Sequence, residues 1–196
     1  MEVLNILANA SATIAEGEVL QLTVSRDIST DEEIYLKVIR GKTAALFSAA
    51  TQVGAVISGS EETIINALYK YGDALGVAFQ IVDDLLDVVG DSRIIGKNNG
   101  DDFRERKLTL PFIKAISSCN QNEKDFWKRT IEKGDQTSED FDTALELMQK
   151  YEAIERTRLD ALKWAKTAKN SLDAVPDNDI KIILTNLADY VVDRVK

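Results

Sequence analysis

The sequence contains no histidine, one cysteine, two prolines and two methionines. Without histidine there is no Ser-His-Asp triad, no His-ligated zinc site and no imidazole general base. A single cysteine, Cys119, excludes an internal disulfide and fits a reducing compartment. Two prolines and ten glycines in 196 residues leave few chain breakers and favour long helices. Positive charge is also short. The 24 Lys and Arg against 33 Asp and Glu give a net charge of -9, so no basic stripe is available for nucleic acid. No charged segment followed by an apolar run opens the chain, so no signal peptide is read and a cytoplasmic location is expected. There is no strand-period segment, internal repeat, low-complexity tract or linker. The reading is one all-α domain, long enough for a sizeable core.

What is present is a run of carboxylates in an apolar setting, Phe79-Gln80-Ile81-Val82-Asp83-Asp84-Leu85-Leu86-Asp87. At helical period Gln80, Asp83, Asp84 and Asp87 fall at i, i+3, i+4 and i+7, on one face. The other faces carry Val77, Ala78, Phe79, Ile81, Val82, Leu85, Leu86, Val88 and Val89. A helix apolar around most of its circumference is buried, so its polar stripe is expected to face an internal cavity. Clustered carboxylates in such a place are costly unless a cation or a proton compensates them. Oxygen ligands without His or paired Cys favour a hard cation, Mg²⁺ before Ca²⁺. Mg²⁺ is usually held by one or two carboxylates together with substrate phosphates, so the stripe predicts a metal-bridged phosphate site. The bland alternative is an acidic face on a surface helix.

Around this stretch the pattern is helical throughout. A first helix is predicted over residues 2–22, its apolar surface interrupted by Glu16-Gly17-Glu18. Thr30-Asp31-Glu32-Glu33 reads as a capping box that starts a helix running towards Gly59. From Gly41 to Ser60 the only charged residue is Lys42. That window has the length of a membrane span, but its Lys, Gln, hydroxyls and glycines favour a buried core helix instead. A lone Lys there needs an anion, unless it snorkels to the surface. Gly41-Lys42-Thr43 resembles the end of a P-loop, but Leu36 stands where that motif needs Gly and no strand precedes it. Ser60 starts the acidic-stripe helix, which ends near Gly90. Residues 90–107 read as one long polar loop with five cations, of a kind usually functional. A helix restarts at Leu108 with Pro111 in its first turn. Three further helices are expected near 122–133, 138–173 and 177–195.

The ordered set Glu16-Gly17-Glu18, Lys42-Thr43-Ala44, Phe79 to Asp87, Gly96-Lys97, Gly100-Asp101-Asp102 and Lys107-Leu108-Thr109-Leu110-Pro111 resembles the trans-isoprenyl diphosphate synthases, or polyprenyl synthetases. The likeness is greatest to enzymes that make octaprenyl- or decaprenyl-type side chains for quinones such as ubiquinone. The resemblance implies an all-α, isoprenoid-synthase-type helical bundle around a central cavity. It implies Mg²⁺-dependent condensation of an allylic diphosphate with isopentenyl diphosphate. Asp83, Asp84 and Asp87 would hold the metal, directly or through water. Lys42, Lys97 and Lys107 would bind the diphosphate, and Thr43 and Gln80 would place oxygens near the developing carbocation.

The departures from the family pattern carry expectations too. The family has two facing aspartate-rich motifs, of which only the second is found here. The chain is therefore expected to be a single partial domain over residues 1–196, roughly the C-terminal three-fifths of a member. On its own it is expected to have little or no synthase activity. The alternative is a non-catalytic subunit that pairs with a full-length synthase. A terpene cyclase-like protein is disfavoured by the Lys-Thr-Ala motif and the Gly-Lys…Gly-Asp-Asp loop. Uncovered apolar helix faces would favour a homodimer or pairing with another synthase chain. Arg106 and Glu152 stand where the family usually, or often, has Gly. The first is expected to alter the diphosphate lid and the second to be tolerated.

Overall fold

The computed structural model describes residues 1–89 and 99–195, and every regular element among them is helical. The order is α1 (Glu2–Val24), α2 (Glu32–Ile39), a π-helical turn (Arg40–Ala44), α3 (Ala45–Ile57) and α4 (Glu62–Val89). Then follow α5 (Asp101–Arg104), α6 (Leu110–Ser118), α7 (Gln121–Trp127) with a second π-helical turn (Lys128–Lys133), α8 (Asp140–Lys150), α9 (Ala153–Ser171) and α10 (Asp179–Asp193). No described helix is long and apolar enough to cross a membrane.

The axis of the bundle is α4. Its 28 residues rise about 42 Å. Tyr71, Val77, Ile81 and Val82 are fully buried on it, against Ala161, Ala165 and Ala168 of α9. Small residues on α9 let the two helices approach closely along their whole contact. On the opposite side α3 crosses α4 at Gly72 and Gly76. A Cβ on Gly72 would lie 2.4 Å from Thr51 Oγ1 and 2.6 Å from the Phe47 carbonyl oxygen, and one on Gly76 would lie 2.6 Å from Ala44 Cα. Glycine weakens a helix interior, and here that cost is offset by packing. Gly72→Ala is expected to force the helices apart and cost about 1–3 kcal/mol in urea unfolding. Gly54→Ala, where nothing lies within 4 Å, should be neutral or stabilising.

A second core lies beyond the end of α4. Phe103, Phe112 and Trp127 meet with ring centroids 5.8–6.3 Å apart, beside Met148 and Ala153. Between the two cores, the buried Lys114 of α6 pairs with Glu32 at 2.8 Å and Asp160 at 2.7 Å, tying α2 and α9 to α6.

Several local expectations need correction. The N-cap of α2 is Asp31, whose Oδ1 accepts the Ile34 N–H at 2.9 Å. The Thr30 hydroxyl instead donates back to the Val24 carbonyl, closing the α1–α2 connection. The segment after Gly41 is not buried all round, since Leu46 and Ile57 are exposed. The polar stretch 90–107 contains a helical turn, α5, at its C-terminal end. The helix expected over 138–173 is two helices, because the chain turns at Tyr151-Glu152 with Glu152 at φ +52°. Arg106 sits at φ +60°. Both positions where the family favours Gly are thus in the left-handed region, where a side chain is strained and glycine is not.

Apolar surface stays open on two helices. On α1 only Ala10 and Gly17 are buried, while Leu4, Leu7, Val19 and Leu22 are exposed. On α10 Ile180, Ile182, Ile183, Leu187 and Tyr190 are exposed.

Candidate active site

The site begins with a backbone contact. A Cβ on Gly17 would lie 2.4 Å from the Lys42 nitrogen and 2.6 Å from the Gly41 carbonyl carbon. Only glycine lets α1 press this closely on the π-helical turn. The contact places Glu18 and Gln21 beside Lys42, whose Nζ lies 2.8 Å from Glu18 Oε2 and 2.6 Å from Gln21 Oε1. The expectation that Lys42 is buried is therefore corrected: its side chain is 37% exposed and paired with Glu18 of α1. Wide turns of this kind recur at functional sites, and this one carries both Lys42 and Thr43.

Lys42 and Thr43 form one wall of a cavity of about 280 Å³. Gln80, Asp83 and Asp84 of α4 line it as well, with Gln80 in contact with Thr43. Tyr35, Val38 and Ile39 of α2 lie beneath, and Asp102, Lys107, Leu108 and Thr109 close it. Three members of the α4 polar stripe, Gln80, Asp83 and Asp84, line this cavity, and they differ. Asp83 is exposed, and among the described residues no hydrogen bond or ion pair is made to its carboxylate. Asp84 is 4% exposed. Its Oδ2 accepts the Tyr35 hydroxyl at 2.5 Å and its Oδ1 accepts the Gln80 amide at 2.8 Å. Gln80 Oε1 in turn accepts the Thr43 hydroxyl at 2.8 Å. Asp87 lies outside the cavity lining. Its two oxygens accept the backbone N–H groups of Asp101 and Asp102 at 3.1 and 3.2 Å, pinning the start of α5 to α4.

The electrostatics follow from this crowding. Burial pushes Asp84 up to about 8, against the pull of its Tyr35 and Gln80 hydrogen bonds, and Asp102 and Asp83 add to the rise. Asp102 is pushed up to about 6 by burial and by Asp87, with Lys107 opposing. Asp87 is raised by burial as well. Burial and the neighbouring Asp84 carboxylate hold the Tyr35 phenol well above its ordinary range. Lys107 Nζ lies 2.5 Å from Glu105 Oε2 and 3.5 Å from Asp102 Oδ1. Lys97 lies outside the described residues. The buried Thr109 hydroxyl has no hydrogen-bond partner among the described residues.

The donor set suits a hard cation. Asp83 and Asp102 are carboxylate oxygen donors that line the same cavity. Among the described residues no three acidic side chains converge on one point. Mg²⁺ does not require that, since it keeps several waters and takes phosphate oxygens. Tyr35, Asp102 and Gln21 were missed in the sequence. Tyr35 reads as an apolar position of an amphipathic helix, Asp102 as one member of a Gly-Asp-Asp turn, and Gln21 as a polar surface residue.

The described residues form an all-α bundle in which carboxylates and two lysines, Lys42 and Lys107, line one cavity. The chain matches the polyprenyl synthetase family over residues 1–148, and it belongs to that family. Among solved structures it is similar to a decaprenyl diphosphate synthase from Rhodobacter capsulatus, with 60% identity and a TM-score of 0.95, over 100% of this chain and 60% of that one. It is also similar to a polyprenyl synthase from Caulobacter crescentus solved with calcium and isoprenyl diphosphate, with 46% identity and a TM-score of 0.93, over 98% of this chain and 58% of that one. The octaprenyl diphosphate synthase of Escherichia coli is 38% identical over 99% of this chain. The chain spans 60% of that relative's length.

Proposed function

We propose that this chain carries the diphosphate-ionising part of a trans-polyprenyl diphosphate synthase. In such an enzyme the C–O bond of an allylic diphosphate breaks, the allylic cation is attacked by the double bond of isopentenyl diphosphate, and loss of a proton leaves a chain one five-carbon unit longer. The observation that carries the reading is a single cavity on which Asp83, Lys42, Lys107 and the Thr43–Gln80 pair all open. The relative solved with calcium and isoprenyl diphosphate supports the ligand class.

Asp83 is the carboxylate best placed to ligate the cation, with Asp102 beside it. Asp84 and Asp87 spend their oxygens on protein donors and act behind Asp83. Magnesium held there would supply positive charge to the departing diphosphate. Lys42 and Lys107, with Lys97, clamp the diphosphate and stabilise the same charge. Thr43 and Gln80 turn oxygen atoms towards the carbon from which the diphosphate departs. The reaction then runs on fixed charges and dipoles without an imidazole base. The exposed apolar residues of α1 and α10 support pairing with a second copy or another synthase chain.

A polypeptide of these 196 residues alone is expected to be inactive, since it holds one aspartate-rich motif. The test is a pair of assays with labelled isopentenyl diphosphate and farnesyl diphosphate. The polypeptide alone should give no product. A chimera that joins it to the part of the Rhodobacter capsulatus synthase outside the matched region should give polyprenyl diphosphate. Turnover by the polypeptide alone would contradict the expected inactivity. A folded chimera without turnover would contradict the proposed function and favour a non-catalytic pairing subunit.

A further inference from the structure

We propose that Tyr35 is a positioning residue that sets the polarity of the cavity wall, acting through Asp84 and Gln80 on the Thr43 hydroxyl. The proposal rests on the reading above and extends it to a residue outside the aspartate-rich and Lys-Thr motifs.

The argument follows the direction of each hydrogen bond. Tyr35 is buried on α2 and its hydroxyl reaches Asp84 Oδ2 at 2.5 Å. The other Asp84 oxygen, Oδ1, accepts from the Gln80 NH₂ at 2.8 Å, so the amide nitrogen faces Asp84. A side-chain amide carries its oxygen on the opposite side from its nitrogen. Gln80 therefore shows its carbonyl oxygen to Thr43. A threonine hydroxyl has one hydrogen, and Thr43 gives it to Gln80 at 2.8 Å. What remains on Thr43 is lone pairs, available to the cavity that this residue lines. Lone pairs favour a cation in that space, whereas the hydroxyl hydrogen would oppose one. Among the described residues nothing else fixes the Gln80 amide. Its partners there are Asp84 and Thr43, so an Asp84 held in place by Tyr35 is what orients it.

Without the Tyr35 hydroxyl, Asp84 loses one of its two donors and is free to turn. The Gln80 amide can then take either orientation, and the Thr43 hydrogen can point into the cavity. Tyr35→Phe keeps the ring that fills the core and removes only the hydroxyl. The expected loss is in the preference for positive charge at the reacting carbon, with little change in affinity for the diphosphate itself.

The experiment compares two probes in saturating Mg²⁺. One is an alkyl diphosphate of prenyl length, saturated and uncharged along its chain. The other is its ammonium analogue, in which nitrogen replaces the carbon that becomes cationic. The parent chain should bind the ammonium analogue at least tenfold more tightly than the neutral probe. Tyr35→Phe should bring that ratio close to one while leaving affinity for the neutral probe within about threefold. Thr43→Val should do the same, and the double variant should lose no more than either single one, because both act on one hydroxyl. The Gln80 side-chain amide resonances give a readout independent of any ligand. One proton should be shifted downfield in the parent, and the pair should move together in Tyr35→Phe.

A Tyr35→Phe chain that keeps both the charge preference and the parent amide resonances overturns the proposal. Failure of the parent chain to bind the neutral diphosphate probe overturns the diphosphate reading itself, whatever the Gln80 resonances do.

Discussion

In the absence of divalent cations the chain is expected to lose stability as pH rises from about 4 to 8, and Asp84→Asn is expected to remove most of that loss. The direction follows from the burial of Asp84. Its folded pKa is raised from 3.8 to about 8. Between those values the folded chain holds a proton that the unfolded chain has released. The unfolded state binds fewer protons, so stability falls as pH rises through this window. Asp102, raised to about 6, adds a smaller loss that is complete at lower pH. The combined effect is on the order of a few kcal/mol. Opposite behaviour comes from Glu123 and Asp140, both held down to about 2 by Lys150 and Arg129 respectively. Their stabilisation is present above pH 4 and is lost as pH falls towards 2. The stability maximum should therefore sit near pH 4–5, lower than is usual. Urea unfolding at pH 4.5 and 8 checks this. Equal stability at the two pH values in the parent chain would contradict the burial of an uncompensated Asp84.

Asp83→Ala is expected to weaken Mg²⁺-dependent diphosphate binding by about 100-fold or more while leaving unfolding unchanged. Asp83 is exposed and unengaged among the described residues, so its removal breaks nothing in the fold. Loss of supporting groups around a metal typically costs 10–100-fold, and loss of a ligating carboxylate should cost at least that. The neighbouring positions should separate from it. Asp87→Ala removes the acceptor for two N–H groups at the start of α5 and should cost about 1–2 kcal/mol of stability, with a smaller change in binding. Titration of pyrophosphate with Mg²⁺ distinguishes the two. Parent-like binding by Asp83→Ala would remove this residue from the metal site.

Much of the fold could be read from periodicity. The stripe of α4 needed only its i, i+3, i+4, i+7 spacing to be placed on a cavity, because so much of its circumference is apolar. The scarcity of proline and the absence of strand-period segments gave the helical class. What escaped was decided by long-range contacts. Nothing local distinguishes Asp84 from Asp83. The tyrosine that lies 49 positions earlier donates to Asp84, while Asp83 stays open to the cavity. Lys42 looked buried because its own helix is apolar, whereas the Glu18 carboxylate and Gln21 amide oxygen that meet it come from α1. The contact of Gly17 with Gly41 and Lys42, which joins the Glu-Gly-Glu and Lys-Thr-Ala motifs in space, has no signature beyond the glycines themselves. The split at Glu152 was hidden because a left-handed residue that is not glycine carries no turn signal.

The central claim is that these residues form a cation-dependent diphosphate site. Calorimetric titration of farnesyl diphosphate into the folded chain, with and without Mg²⁺, tests it most directly. The account predicts saturable binding with Mg²⁺ and little or none without it. No binding at millimolar ligand with Mg²⁺ present, or equal binding in its absence, would contradict it.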